Sequence, residues 1–190
     1  PHDSEARYEA LGVEVVRGYG RLEDPWTVAV DLAEGGTRRL TARATVLATG
    51  AEPFVPCIPG IEASDYVTSD TLWDRLSALQ EPPRRLIVLG GGPIGCELAQ
   101  ALARLGAGVT LVETAPRVLG REDEEVSRVA AGALAMSGVH LLTGHRAVAC
   151  EQADGERWIR VAGGDSEQAI HYDMLLVAVG RRARLAGFGL

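Results

Sequence analysis

Three glycines and one acid are the residues whose types and spacing could do chemistry: Gly90, Gly92, Gly95 and Glu113, in the segment LIVLGGGPIGCELAQALARLGAGVTLVE from Leu86 to Glu113. A glycine run placed directly after an apolar run presents backbone N–H groups with no side chains in front of them, and such a surface suits a pyrophosphate. Gly90 lets the chain turn sharply, and Gly92, between Gly91 and the pair Pro93 and Ile94, lets the backbone approach phosphate. Gly95 lets a following helix pack close to a sheet. Glu113 then offers a carboxylate that accepts both hydroxyls of an adenosine ribose. A 2'-phosphate beside it would be repelled, so the set reads as an NAD site rather than an NADP site.

These residues need particular elements to position them. Leu86–Leu89 is a short apolar run suited to a buried parallel strand. Pro93 falls in the first turn of an amphipathic helix, where a missing N–H costs nothing, and a second strand ends at Glu113. A lone glycine string is a weak signal. Strand, turn, helix, strand and terminal acid in order within about 30 residues is a specific one.

The sequence also repeats itself. GVEVVRGYGRLE, from Gly12, resembles GVHLLTGHRAVA, from Gly138, with Tyr19 and His145 after the matched glycines. Each is followed by two further alternating segments, WTVAVDL and RRLTA in the first copy, RWIRVAG and QAIHYDM in the second. Each copy ends alike, TVLATGAEP turning at Gly50 and LLVAVGRRA at Gly180. Each copy therefore reads as a strand, a three-stranded antiparallel excursion and a return strand. The predicted fold class is α/β: a Rossmann-like doubly wound parallel sheet with an inserted antiparallel β-meander, plus a partial second copy that has no glycine clamp ahead of it. SEARYEAL, from Ser4, is predicted as a helix leading into that partial copy. Between the copies, Pro53–Pro59 suits an extended connector. Ser69 or Asp70 is placed to cap a short helix through Leu79, which Pro82 and Pro83 stop. The acids Glu122–Glu125 mark another helix start.

Composition sets the remaining bounds. Net charge is −7 with no basic run, which argues against nucleic acid or an anionic membrane as partner. No apolar run approaches the roughly 20 residues of a membrane span and no signal peptide is visible, so a cytoplasmic setting is expected. All 19 basic residues are arginine. Cys57, Cys96 and Cys150 are far apart and form no paired motif, and His140 and His145 match no familiar metal spacing, so neither a disulfide framework nor a metal site is expected. The chain opens on Pro1 rather than methionine, and it is expected to be a piece of something longer.

Taken together, LIVLGGGPIGCELAQALARLG, TVLATGAEP, REDEEVS and LLVAVGRRARLAGFGL make the chain resemble the flavin-dependent pyridine nucleotide-disulfide oxidoreductase family, nearest to its dihydrolipoamide dehydrogenase and mercuric reductase branch. The resemblance covers nearly the whole sequence. It implies that a hydride passes from NADH to FAD and electrons pass on to a cysteine pair, which reduces a disulfide, a lipoyl group or mercuric ion. It implies that Gly90, Gly91, Gly92, Pro93, Ile94 and Gly95 hold the NAD pyrophosphate and Glu113 the ribose, with Thr114 standing where NADP-using relatives tend to carry arginine. Ala147 falls at a backbone contact to adenine, and Gly180 at the turn beside the nicotinamide end. Glu97 matches a family glutamate near the nicotinamide and flavin rings, although from the residue alone a dipole-favoured surface acid reads equally well. Gly20 matches a backbone contact to the FAD adenine, and Thr49 with Gly50 the turn beside its pyrophosphate.

The departures count as well. The family's Gly-Arg-x-Pro-Asn stretch here reads Gly180, Arg181, Arg182, Ala183, Arg184, which leaves the course of the following loop open. The first glycine clamp for FAD, the CxxxxC pair and the interface domain with its His-Glu pair are not in this sequence, so these residues alone are expected to reduce no disulfide. The expected organisation is 1–75 as the C-terminal part of an FAD-binding domain with connector, 76–180 as an NAD-binding domain, and 181–190 as the start of a return to the first. The FAD site is then only partial, and the parent is expected to be a homodimer through a domain beyond this sequence. Two alternatives stay open: a flavoprotein of NADH oxidase or ferredoxin reductase type, and a stand-alone dinucleotide-binding module. The sequence does not name the electron acceptor.

Overall fold

The computed structural model describes residues 4–164 and 166–190. The chain forms two compact units: one holds the described residues up to Gly50 together with Ala183–Leu190, and the other holds Ala51–Arg182. Among the described residues no helix is long and apolar enough to cross a membrane.

In the first unit a short helix α1 (Glu5–Ala10) precedes a three-stranded antiparallel meander of β1 (Gly18–Asp24), β2 (Thr27–Leu32) and β3 (Thr37–Thr41). Ala29 and Val30 are its buried residues; as neighbours in β2 they point to opposite faces of the meander. The predicted flanking strands do not form. Residues 13–17 and 43–50 join no ladder, and Val46 and Leu47 are 89% and 52% exposed. The physical reason is that a strand is defined by its neighbour: no strand among the described residues lies beside these segments to take their N–H and C=O groups.

The second unit is built on a five-stranded parallel sheet in the order β5-β12-β6-β7-β8. Its strands are β5 (Val67–Thr68), β6 (Arg85–Leu89), β7 (Gly108–Glu113), β8 (His140–Thr143) and β12 (Met174–Val177). Between β8 and β12 the chain makes the expected meander of β9 (Arg146–Ala153), β10 (Glu156–Gly163) and β11 (Ser166–Tyr172), joined in antiparallel register. Helices α3 (Pro93–Arg104) and α4 (Glu124–Met136) follow β6 and β7. Glu124 and Glu125 occupy the first turn of α4, where the helix dipole favours acids.

The strand pleat divides the apolar runs between two cores. Leu86, Val88, Val109, Leu111, Met174 and Leu176 pack with Cys96, Ala99 and Leu102 of α3 and Leu134 of α4. The intervening residues Ile87, Leu89, Val112, Leu175 and Val177 pack with Ile159, Val161 and Tyr172 of the meander. Because both faces are covered, these strands read as continuous hydrophobic runs rather than alternating ones.

The connector belongs to this unit and not to the first, which moves the boundary from residue 75 to residue 50. Ile61 is buried in the meander-side core and Val67 and Leu72 in the helix-side core, so most of the connector's apolar burial is on this sheet. Its helix α2 (Leu72–Ser77) begins later than predicted, after Thr71, and no side chain caps it. Thr71 Oγ1 instead accepts the N–H of Thr68 at 3.0 Å, while Asp70 pairs with Arg181. At the points where the chain enters and leaves the unit, β4 (Ala51–Pro53) pairs with β13 (Arg181–Ala183). Arg181 and Arg182, the departure from the family stretch, thus run as strand rather than loop. Arg182 Nε bonds Glu52 at 2.7 Å.

Candidate functional site

The glycine turn sits at the C-terminal ends of β6 and β7, the edge at which open α/β sheets bind ligands. Gly90 has φ +103, and a Cβ there would run into the backbone of Ala178 and Val179. Gly95 is a different case. Its backbone is ordinary helix, but a Cβ would collide with the carbonyl oxygen of Gly90, so α3 reaches the sheet only because the residue is glycine. A Cβ on Gly92 would meet open space. That opening lies in front of the helix N-terminus.

The donors of the turn divide into spent and open ones. Gly90 N–H donates to Val112 O at 2.8 Å and Gly91 N–H to Glu113 Oε2 at 2.6 Å, so neither faces outward. The carbonyl of Gly91 accepts from Leu119 N–H at 2.7 Å and from Cys96 Sγ at 3.3 Å. Pro93 opens α3 and has no N–H, Cys96 N–H donates to Gly92 O at 2.9 Å, and no side chain caps the helix. The amides of Gly92, Ile94 and Gly95 are left as donors without a backbone acceptor among the described residues. Orphan amides at a helix N-terminus, together with its dipole, make an anion site.

Glu113 ends β7 and is half-buried. Its Oε2 takes Gly91 N–H, and its Oε1 takes Ala115 N–H at 2.7 Å and the Thr114 hydroxyl at 3.1 Å. Thr114 is exposed. Arg117, the next cation along the chain, turns its guanidinium onto the carbonyls of Glu122 (2.8 Å) and Gly120 (3.2 Å) of its own loop. His145 N–H donates to Glu113 O at 3.0 Å, which brings the start of β9 beside the acid. Ala147, two residues on, is half-buried and stands opposite Val161. Beneath the turn, burial and then the nearby Glu113 and Glu97 carboxylates push the Cys96 thiol up to about 11, which makes it a packing group and not a nucleophile.

The remaining candidates are more scattered. Glu97 is exposed in the first turns of α3. Gly180 has φ +139, and its carbonyl accepts Phe54 N–H at 2.9 Å. In the first unit Gly20 lies in β1 opposite Val30. Thr49 and Gly50 come together on Arg184: Thr49 Oγ1 donates to its carbonyl at 2.8 Å, and Gly50 O accepts its N–H at 3.1 Å. Sequence reasoning missed Leu119 and Ala115, whose amides hold the turn and the acid. No side-chain pattern marks them, since both act through backbone, Leu119 at φ +50. Among the described residues no cluster of His, Cys, Asp or Glu is arranged to hold a metal ion, and Cys57, Cys96 and Cys150 are all free thiols.

Comparison with known proteins shows the family and the fold. The family model described as pyridine nucleotide-disulphide oxidoreductase matches residues 3–189. A dihydrolipoyl dehydrogenase of Pseudomonas aeruginosa is 39% identical over 180 residues, covering 94% of this chain and 37% of its own length. A mercuric reductase of Streptomyces lividans is 37% identical, again over 94% of this chain and 37% of the relative. Among solved structures, the HOCl-induced flavoprotein disulfide reductase RclA from Escherichia coli superposes with a TM-score of 0.72 at 28% identity, over 91% of this chain and 37% of that one. The chain therefore spans well under half the length of these relatives. By its matched residues, its fold and its glycine turn, it belongs to the pyridine nucleotide-disulphide oxidoreductase family.

Proposed function

We propose that Ala51–Arg182 is the NAD(H)-binding part of a flavin-dependent oxidoreductase that passes reducing equivalents from NADH through FAD to a disulfide, dithiol or mercuric ion acceptor. The observation that carries this reading is the pairing of the open amides of Gly92, Ile94 and Gly95 with a carboxylate, Glu113, held beside them. The amides suit a pyrophosphate, and the carboxylate suits a ribose diol and disfavours a 2'-phosphate. Bound NADH supplies a hydride. The part played by this chain is to hold and orient: Gly90 and Gly95 set the approach of helix to sheet, Ala147 lies on the adenine side, and Gly180 on the nicotinamide side.

Gly20, Thr49 and Gly50 supply one edge of an FAD site. Thr49 has its hydroxyl hydrogen spent on Arg184, so its oxygen is left as an acceptor and donors to the nucleotide there must come from backbone. Three isolated free thiols offer no pair for disulfide chemistry, and we infer that these residues alone are inactive toward a disulfide. The parent enzyme is proposed to be a homodimer acting on small molecules, with neither nucleic acid nor membrane as partner.

Calorimetric titration of the 190-residue chain with NADH and with NADPH tests the reading. NADH is expected to bind more tightly by about tenfold or more, the cost of setting a phosphate against a carboxylate. A preference for NADPH would sink the role given to Glu113. A strong flavin absorbance in the purified chain would refute the partial FAD site.

A further inference from the structure

The order of the parallel strands fixes which part of a dinucleotide lies where. With its adenosine ribose at Glu113, the end of β7, and its pyrophosphate on the amides that follow β6, the ligand has its nicotinamide half over the exits of β12 and β5, the next strands in the sheet. One side chain ties those exits together. Arg181 Nη1 donates to Asp70 Oδ1 at 2.8 Å and to Ser69 Oγ at 3.1 Å, and its Nη2 donates to Ala51 O at 2.6 Å. Ser69 and Asp70 directly follow β5, and Arg181 directly follows the Gly180 turn that leaves β12.

The backbone that follows is also held by the pairing of β13 with β4, whereas the turn itself is open on its outer side. Gly180 sits at φ +139, and a Cβ there would face open space. Its inner side is fixed, because Phe54 N–H bonds its carbonyl, and Ala178 and Val179 lie against Gly90 so closely that a Cβ on that glycine would collide with them. The Arg181 fork therefore acts on a piece of backbone that adjoins both the clamp and the open side. A guanidinium suits the task because its rigid fork reaches several acceptors at once, which a compact ammonium does not.

We propose that Arg181 is a positioning residue for the nicotinamide ring of the dinucleotide, fixing the Gly180 turn against the β5 exit so that the ring has a defined floor. This rests on the reading of Ala51–Arg182 as an NAD(H) site. The adenosine half, at Glu113 and Ala147, is two strands away and does not depend on the fork.

The test compares two ligands on the 190-residue chain: NADH, and ADP-ribose, which lacks only the nicotinamide ring. Arg181→Ala is expected to weaken NADH by about tenfold and to change ADP-ribose by less than about twofold, with Asp70→Asn moving in the same direction and Arg181→Lys recovering part of the loss. Circular dichroism checks that each variant folds. If Arg181→Ala does not, Asp70→Asn and Arg181→Lys carry the comparison. A loss shared by both ligands, or no loss for either, overturns the positioning role. Wild-type chain that binds ADP-ribose while Arg181→Ala leaves NADH unaffected overturns it with the NAD(H) reading intact; wild-type chain that binds neither ligand overturns both.

Discussion

Glu113 Oε2 accepts the N–H of Gly91 at 2.6 Å, so the acid at the end of β7 and the loop at the end of β6 form one hydrogen-bonded body. The other oxygen is held by Ala115 N–H and shared with the Thr114 hydroxyl. A carboxylate has about four lone-pair positions, of which three are filled here. One is open for a ribose hydroxyl, and the second becomes available when the exposed Thr114 hydroxyl rotates away.

Glu113→Ala is expected to act twice. It leaves the Gly91 N–H, on a buried residue, without its acceptor, which costs roughly 1–3 kcal/mol of stability. It also removes the ribose acceptor and weakens NADH by about tenfold or more. Thermal unfolding reads the first effect and titration the second; NADH affinity equal to wild type would remove Glu113 from the site.

Two glycines three residues apart are expected to fail differently. Gly95→Ala forces a Cβ into the Gly90 carbonyl, so α3 must move off the sheet, at a cost of about 1–3 kcal/mol in stability. Gly92→Ala meets no protein atom within 4 Å, so it is expected to unfold near the wild-type temperature yet lose NADH affinity, because its methyl group stands in the anion cradle. Unfolding curves and titrations of both variants check the contrast, and equal behaviour would contradict it.

The thiols are expected to react unequally. Cys57 is exposed, while Cys96 and Cys150 are buried and their burial raises both thiol pKa values. Titration with a chromogenic disulfide reagent at neutral pH should modify Cys57 alone in the folded chain and the other two only after denaturation. Rapid native labelling of Cys96 would show that the turn opens readily.

Asp173 links β12 to β6. It accepts Arg85 N–H at 2.8 Å and the Arg85 guanidinium at 2.7 Å, and these bonds hold its carboxyl below the ordinary value of 3.8. A depressed carboxylate stabilises the fold above its unfolded pKa, and that contribution is lost as pH falls through the lowered folded value. Asp173→Asn should therefore lower the unfolding temperature at neutral pH and bring mutant and wild type together in acid. A constant difference across pH 2–7 (about the range over which a carboxylate titrates) would assign the loss to packing.

The sequence by itself determined what is local. The glycine turn, the helix that follows it, the apolar strands and the acid at Glu113 were legible because turn geometry and burial on both faces each leave a pattern within a few residues. The matched copies likewise announced a meander in each unit, and Glu122–Glu125 announced the start of α4. Where the pattern alone spoke, in the valines of residues 13–16 and 45–47, it named strands that do not form, because a strand requires the backbone groups of a neighbour and no neighbour is encoded in its own residues. Tertiary structure decided the rest. It drew residues 51–75 into the second unit through the burial of Ile61, Val67 and Leu72. It set Gly91 and Leu119 amides to inward duty, leaving those of Gly92, Ile94 and Gly95 open. It also brought Arg181 onto Asp70 and Ala51, residues more than a hundred positions away, by laying β12 beside β5. Such pairings depend on which strands become neighbours, and that is settled only when the sheet closes its two cores.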